Sequence, residues 1–119
     1  MQFTIEFYVL EDGIEPAKEF MESLNAKMLA KVIRIIELLE EYGPNVRMPY
    51  SKYLEDGIFE IRAKEGTNIA RVLYFFVAGR KIILTNGFIK KTQKTPKDEV
   101  EKAKKYRKDY ERRTKNDKF

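Results

Sequence analysis

The stretch that decides the fold covers residues 58–96 and reads IFEIRAKEGTNIARVLYFFVAGRKIILTNGFIKKTQKTP. It contains three apolar runs, at residues 58–64, 69–77 and 81–89, which short turn sequences separate. Apolar and polar residues alternate in the first run. The second run is apolar on both faces except at Arg71, which is typical of a central strand. We therefore predict three consecutive strands, with a basic segment after the third.

The residues before this stretch predict another strand, two helices and a short edge strand. Residues 3–9 alternate between apolar and polar side chains, as a half-buried strand does. Two amphipathic helical segments follow. The first begins near Pro16, and the second is capped by Asn25 and ended by a Gly-Pro pair. Residues 48–54 are the candidate edge strand.

The residues after this stretch predict a charged helix that begins near Pro96. Its apolar stripe is thin, so we expect loose docking and fraying over residues 114–119. The element order is β-α-α-β-β-β-β-α, an α+β fold with a helical hairpin packed on one face of a mostly antiparallel sheet. The opposite face is expected to be open or partly covered. No linker or repeat divides residues 1–119, which indicates a single domain.

The composition excludes several kinds of chemistry. The 119 residues include no cysteine and no histidine. Disulfides, thiolate nucleophiles and histidine-dependent triads are therefore excluded, and the most frequent metal ligand is missing. We expect no cofactor and no metal. No apolar run is long enough for a membrane span and no signal peptide is recognisable, so we expect a cytoplasmic protein without membrane contact.

The charge is unevenly distributed. Residues 1–47 hold five basic and nine acidic side chains, whereas residues 90–119 hold 13 basic and six acidic ones. The basic excess at the end of the chain suggests a polyanion or an acidic protein as partner. A solvated face of a Lys/Glu helix would give the same composition.

The turn at residues 65–68 brings two arginines together. If it closes a four-residue hairpin, Arg62 lies opposite Arg71, and both point away from the helical hairpin. Directly opposed like charges are destabilising unless an acid compensates them. A salt bridge between Arg62 and Glu60 would make the arrangement purely structural. Because chains break local rules mostly at functional sites, we favour a phosphate-binding site.

Further basic and aromatic residues extend this candidate site. Lys90 and Lys91 end the third strand, and since adjacent residues point to opposite faces, one of them joins the arginines. Arginine offers bidentate donors to phosphate, and lysine offers a mobile point charge. Tyrosines near the sheet edge suit base stacking, although ordinary edge packing would also explain them. The candidate RNA-binding residues are Lys64, Lys94, Tyr50 and Tyr53.

Such a site has a route to RNA cleavage without histidine or cysteine. The 2′-OH of RNA is itself a nucleophile, and arginine and lysine stabilise the charge that develops at the scissile phosphate. A base near the 2′-OH and an acid near the leaving 5′-oxygen contribute further. A lysine, a tyrosine or Glu60 would have to serve, and the sequence leaves the choice open.

Three segments resemble the RelE/ParE superfamily of toxins, and in particular its phage-derived Gp49-like, or HigB-type, branch. They are LEDGIFEIR at residues 54–62, ARVLYFF at 70–76 and GFIKKTQKTP at 87–96. The resemblance covers roughly residues 3–113. It implies a RelE-like fold and a ribosome-dependent mRNA endonuclease that inhibits translation. A HigA-like helix-turn-helix antitoxin would hold it inactive, and mRNA on the ribosome and rRNA would be its other partners.

The resemblance also implies site residues. Arg62 and Arg71 match two catalytic basic residues of RelE-type toxins, and Lys91, or its neighbour Lys90, matches a third. Glu60, however, stands where those toxins have a catalytic lysine. Val100 likewise falls near the position of their C-terminal tyrosine, so the family's general base does not carry over.

Two alternatives stay open. The ParE branch has the same fold but inhibits a topoisomerase without catalysis, and a fold alone does not decide between these functions. The other alternative is a nucleic-acid-binding accessory protein of phage origin. Arg62 and Arg71 on opposite faces of the sheet would count against the nuclease.

Overall fold

The computed structural model describes residues 2–90 and 94–116. In chain order its elements are β1 (Thr4–Phe7), α1 (Pro16–Glu22), α2 (Ala26–Tyr42), a 3-10 turn (Gly43–Asn45), β2 (Ser51–Glu55), β3 (Ile58–Glu65), β4 (Asn68–Val77), β5 (Lys81–Lys90) and α3 (Lys97–Asn116). The predicted α+β class and the order β-α-α-β-β-β-β-α are confirmed.

The strands form one sheet in the order β1-β5-β4-β3-β2. β1 runs parallel to β5, and the other neighbouring strands are antiparallel. The side chains of β4 are buried in two apolar clusters, one on each face of the sheet, which explains why its sequence is apolar on both faces. β2 begins at Ser51, three residues later than predicted, because residues 47–50 form a turn. In that turn the N–H of Tyr50 donates to the carbonyl of Arg47 at 3.0 Å.

The helices α1 and α2 pack on one face of the sheet, here called the hairpin face. The Asn25 side chain accepts a hydrogen bond from the N–H of Met28 at 2.8 Å, so the predicted cap is confirmed. Gly87 lets α1 approach β5, since a Cβ there would overlap the ring of Phe20. The buried residues of this core are Ala17, Met21, Met28, Val32, Ile35, Leu39, Ile61, Ala63, Ala70, Val72, Tyr74, Ile82 and Leu84.

The helix α3 covers part of the opposite face, here called the α3 face. Its residue Ala103 is buried in a second apolar cluster with Tyr8, Ile58, Leu73, Phe75 and Ile83. Polar contacts supplement the thin apolar stripe. The Tyr8 hydroxyl donates to Asp109 at 2.6 Å, and Arg107 pairs with Asp56 at 3.0 Å. The helix continues through Asn116, three residues beyond its predicted end.

Candidate functional site

The β3–β4 hairpin opposes the two arginines directly. Arg62 pairs with Arg71, as the turn length predicts. Val72, the neighbour of Arg71, belongs to the core on the hairpin face, whereas Leu73 belongs to the cluster under α3. Because strand side chains alternate, Arg62 and Arg71 both point to the α3 face. The prediction that they share one face is confirmed.

The two arginines are buried around a carboxylate. Glu60 and Arg71 are 0% exposed, and Arg62 is 7% exposed. Nη1 of Arg62 donates to Oε2 of Glu60 at 3.1 Å, and Nη1 of Arg71 lies 4.0 Å from Oε1 of the same carboxylate. Glu60 therefore offsets the repulsion between the guanidinium groups. The ion pair named as the structural alternative is present.

Thr95, which lies two residues before α3, closes this cluster. Its hydroxyl donates to Oε1 of Glu60 at 2.7 Å and accepts from Nη1 of Arg71 at 3.2 Å. Glu60, Arg62, Arg71 and Thr95 are called the Glu60 cluster below. The open, concave basic site that we expected is thus a covered one. Strand alternation predicts the face of each arginine but not the segment that packs over it.

Burial sets the electrostatics of the cluster. It lowers the pKa of the Arg71 guanidinium, an effect that Glu60 opposes and Arg62 reinforces. Among the described residues, two guanidinium groups flank the Glu60 carboxylate in a site that is buried from water. The removal of such charges from water costs free energy, and guanidinium groups bind an incoming anion well.

The basic residues around the cluster form a second row. Ile69 of β4 pairs with Lys64 on one side and with Lys90 on the other. By strand alternation Lys64 and Lys90 point to the α3 face, two residues along their strands from the row of the arginines. Both lysines are exposed. Four cations therefore occupy two adjacent rows of one face.

Lys94 and Lys91 were also predicted to belong to the site. Lys94 is exposed and directly precedes Thr95. Lys91 lies outside the described residues.

The two candidate stacking tyrosines do not join the arginines. Tyr53 pairs with Phe59, and their rings pack edge to face with centroids 5.1 Å apart. Tyr50 is 48% exposed and lines a groove between α2 and the end of β3, together with Lys64. Both rings remain accessible, but at the sheet edge rather than over the Glu60 cluster.

Sequence reasoning missed three residues of this region. Thr95 closes the Glu60 cluster, and Lys31 and Arg34 of α2 line the groove beside Tyr50. A signal for the latter two exists in the sequence. Lys27, Lys31 and Arg34 recur at helical spacing and therefore share one flank of α2.

Residues 2–90 and 94–116 contain no group of three or more acidic side chains arranged to hold a metal ion. No helix within those ranges is long and apolar enough to cross a bilayer.

The family model described as phage derived protein Gp49-like (DUF891) matches residues 19–108. This match spans three quarters of the chain, including the Glu60 cluster. The chain belongs to the Gp49-like family. Archaeal RelE, from the crystal structure of the RelE-RelB complex of Pyrococcus horikoshii OT3, has a similar fold. The two chains are 19% identical, with a TM-score of 0.51, over 73% of this chain and 93% of that one.

No curated protein sequence matches this Gp49-like chain. The assignment to the RelE-like toxin superfamily, made above from three sequence segments, is confirmed by the family match together with the RelE-like fold.

Proposed function

We propose that this Gp49-like protein is a HigB-type toxin of a type II toxin–antitoxin pair that cleaves mRNA on the ribosome. Cleavage without a metal ion would inhibit translation in the cytoplasm. The observation that carries this proposal is the pair of cation rows on the α3 face, with Arg62 opposite Arg71 and Lys64 and Lys90 beside them. Such a density of cations on one face suits the phosphates of RNA.

The chemistry follows from RNA itself. The 2′-oxygen attacks the adjacent phosphorus and loses its proton, the bond from phosphorus to the 5′-oxygen breaks, and that oxygen takes up a proton. The products are a 2′,3′-cyclic phosphate and a 5′-OH end. In this scheme Arg62 and Arg71 stabilise the charge on the phosphate, and Lys90 and Lys91 assist them. Lys64, Lys94, Tyr50 and Tyr53 hold the neighbouring nucleotides.

Glu60 is a positioning residue in this scheme. Its carboxylate lies within 4.0 Å of both guanidinium groups and sets the distance between them. A carboxylate that is fully buried between two arginines does not contact the substrate. Its effect on cleavage would run through the arginines.

Cleavage requires that a phosphate reach Arg71. In the structure the hydroxyl of Thr95 accepts the hydrogen bond that Arg71 donates through Nη1. A phosphate oxygen is a stronger acceptor because it is charged. The proposal therefore includes the release of Thr95 from Arg71 and Glu60 when RNA binds.

The proposed protein partner is a HigA-like helix-turn-helix antitoxin. Two observations support an antitoxin: membership of a toxin family, and a fold shared with RelE, which was crystallised with RelB. The basic excess over residues 90–119 suits either an acidic antitoxin segment or rRNA.

The proposal is tested by inducing the protein in cells without its antitoxin and mapping mRNA 5′ ends on and off ribosomes. We expect growth arrest and new 5′ ends within translated reading frames. Arg71→Lys keeps the charge but loses the planar guanidinium, so cleavage should fall about a hundredfold, as when one transition-state donor is lost. Arg80→Lys, in the exposed turn between β4 and β5, is the matched control and should cleave like the wild type. Growth arrest with intact mRNA would contradict the proposal.

The complete burial of Arg71 and Glu60 favours a second candidate function, the inhibition of a topoisomerase without catalysis. In that case the Glu60 cluster would be structural, and the inhibitory surface would lie elsewhere. A supercoiling assay with purified DNA gyrase separates the two functions. Inhibition of supercoiling, with mRNA left intact on ribosomes, would replace the nuclease with this second candidate.

A further inference from the structure

A groove of about 580 Å³ lies between α2 and the end of β3, at the edge of the sheet. Its apolar wall includes Ile35, Pro49 and Ala63. Its lining also includes Tyr50, the α2 cations Lys31 and Arg34, and the β3 residues Arg62 and Lys64. The volume is within the range of small-molecule sites. We call this feature the α2 groove.

The described residues that line the α2 groove include no carboxylate. A second groove, at the start of α1, shows that this is not a general property of the surface. Its lining holds four acidic side chains and the single cation Lys18. The two grooves therefore have linings of opposite charge, and the α2 groove favours an anionic occupant.

The Tyr50 side chain is an exposed ring on a fixed backbone. Its carbonyl accepts from the N–H of Arg62 at 2.9 Å, and its N–H donates to Arg47 at 3.0 Å. The ring nevertheless remains 48% exposed. An accessible ring on a fixed backbone, beside the cations of α2, has the features of a platform on which a nucleobase stacks.

The helix α2 and the strand β3 are joined at this groove. Nζ of Lys31 donates to the carbonyl of Lys64 at 2.8 Å, which holds the two walls at a set distance. Arg34 is one helical turn further along the same flank of α2, and it is exposed. The walls of the groove are thus a helix and a strand rather than a loop.

Arg62 connects the α2 groove with the Glu60 cluster. It lines the groove, while its guanidinium bonds Glu60 on the α3 side. The lining of a neighbouring groove of about 530 Å³, across residues 48–51, includes Arg47, Lys52 and Tyr53 and, within the part of the chain that the structure describes, no carboxylate. The cationic lining therefore continues around the edge of the sheet from the proposed cleavage site.

We propose that the α2 groove binds one nucleotide of single-stranded RNA, adjacent to the nucleotide at the cleavage site. The base lies against Tyr50 and the apolar wall, and the phosphates contact Lys31 and Arg34. The strand passes over the edge of the sheet at Arg62. This inference rests on the proposed function and adds to it the path of the substrate.

An acidic peptide would share the charge preference of the groove. Two observations favour RNA instead: the exposed ring of Tyr50, and the continuity of the cationic lining with the Glu60 cluster through Arg62. A peptide is therefore the outcome that the test must be able to detect.

The test measures the affinity of the purified full chain for a fluorescein-labelled hexanucleotide by anisotropy. All its 2′ positions are O-methylated, so binding is measured without cleavage. We expect Tyr50→Ala to weaken binding roughly tenfold through lost stacking, and Tyr50→Phe to retain it. Arg34→Glu should also weaken binding about tenfold and should reduce the salt slope by roughly one or more.

The controls are Tyr42→Ala, an exposed ring at the end of α2, and Lys18→Glu, an exposed cation in the acidic groove. Both should bind RNA like the wild type. Equal losses in control and groove variants would overturn the inference, since binding would then be diffuse. Groove variants that keep RNA affinity but lose the antitoxin would overturn it too, because the groove would be a protein site.

The failure of the proposed function gives a different result. If the wild-type protein binds RNA through Tyr50 and Arg34 but leaves mRNA intact on ribosomes, the groove is supported and the nuclease is contradicted. A hexanucleotide that carries 4-thiouridine should also cross-link to Tyr50 on irradiation. A cross-link confined to α3 would overturn the inference.

Discussion

The two faces of the sheet bury different kinds of side chain on the same strands. On the hairpin face Ile61, Ala63 and Val72 belong to an apolar core with α1 and α2. Glu60, Arg62 and Arg71 alternate with those residues and are buried on the α3 face. One part of that second face is apolar and packs under α3, and another part is the Glu60 cluster.

This difference separates residues that stabilise the fold from residues that are buried without stabilising it. An apolar core stabilises by burial. Two arginines and a carboxylate, in contrast, must be removed from water, and apolar residues of similar volume are often equally stable or better in such places. A need for stability therefore does not explain the charges buried on the α3 face. This supports the assignment of those residues to the proposed site.

The largest expected effect is that of Glu60→Gln. The substitution keeps the shape of the side chain, but it replaces one accepting oxygen by an NH2 donor and removes the negative charge between two buried guanidinium groups. We expect the free energy of unfolding to fall by about 3–5 kcal/mol, measured by urea denaturation. Glu55→Gln, at an exposed carboxylate of β2, is the control and should change it little.

The combined replacement Glu60→Leu, Arg62→Met and Arg71→Met sharpens the contrast between the faces. Because all three charges leave together, the protein should unfold at the same urea concentration as the wild type or at a higher one. It should also lose toxicity on induction. A stable triple variant that still arrests growth would show that the Glu60 cluster is not the site.

A smaller effect is expected on the hairpin face, where Tyr74 and Ser51 form a buried hydroxyl pair. Burial raises the pKa of Tyr74 from 10.0 to about 12, and the bond with Ser51 partly opposes this. The folded chain therefore keeps a proton that the unfolded chain loses. The contribution of Tyr74 to the free energy of unfolding should be fully present below pH 10.0. It should fall by about 1.4 kcal/mol per pH unit as the pH rises towards 12.

The measurement compares urea denaturation of the wild type and of Tyr74→Phe at about pH 8 and about pH 11. The variant should lose less stability over this interval. Burial also raises the pKa of Tyr8 and Tyr110, so part of the alkaline loss remains in the variant. Equal losses in both proteins would contradict the assignment to Tyr74.

The smallest effect is expected at the solvent edge of the α3 face. Arg107 pairs with Asp56 at 3.0 Å and ties α3 to the turn between β2 and β3. Because such a pair is exposed, Arg107→Ala should lower the free energy of unfolding by about 0.2–1 kcal/mol. A thermal melt at low and high salt checks this, since the difference from the wild type should shrink at high salt. A loss as large as that of Glu60→Gln would erase the distinction between buried and surface charge.

The sheet and its register were predictable because they depend on local signals. The four-residue turn at 65–68 and the alternation of β3 and β4 together determine that Arg62 opposes Arg71. The capping side chain of Asn25 predicts the start of α2. Each of these features is encoded within about ten residues.

The covering of the site was not predictable in the same way. The contact of Thr95 with Glu60 joins residues that lie 35 positions apart, and it depends on how α3 docks on the sheet. The α2 groove likewise needs Tyr50, α2 and β3 in their final positions. Periodicity assigns a residue to a face of its own element, whereas a site also depends on what packs against that face.

Ribosome-dependent cleavage of mRNA is tested most directly with purified protein and ribosomes stalled on a defined mRNA. We predict cleavage that leaves a 2′,3′-cyclic phosphate and a 5′-OH end. A single 2′-deoxy substitution at the cleaved nucleotide should abolish it, because the attacking oxygen is then absent. Cleavage that persists at the 2′-deoxy position would contradict attack by the 2′-oxygen. An mRNA that stays intact on the ribosome would contradict the nuclease itself.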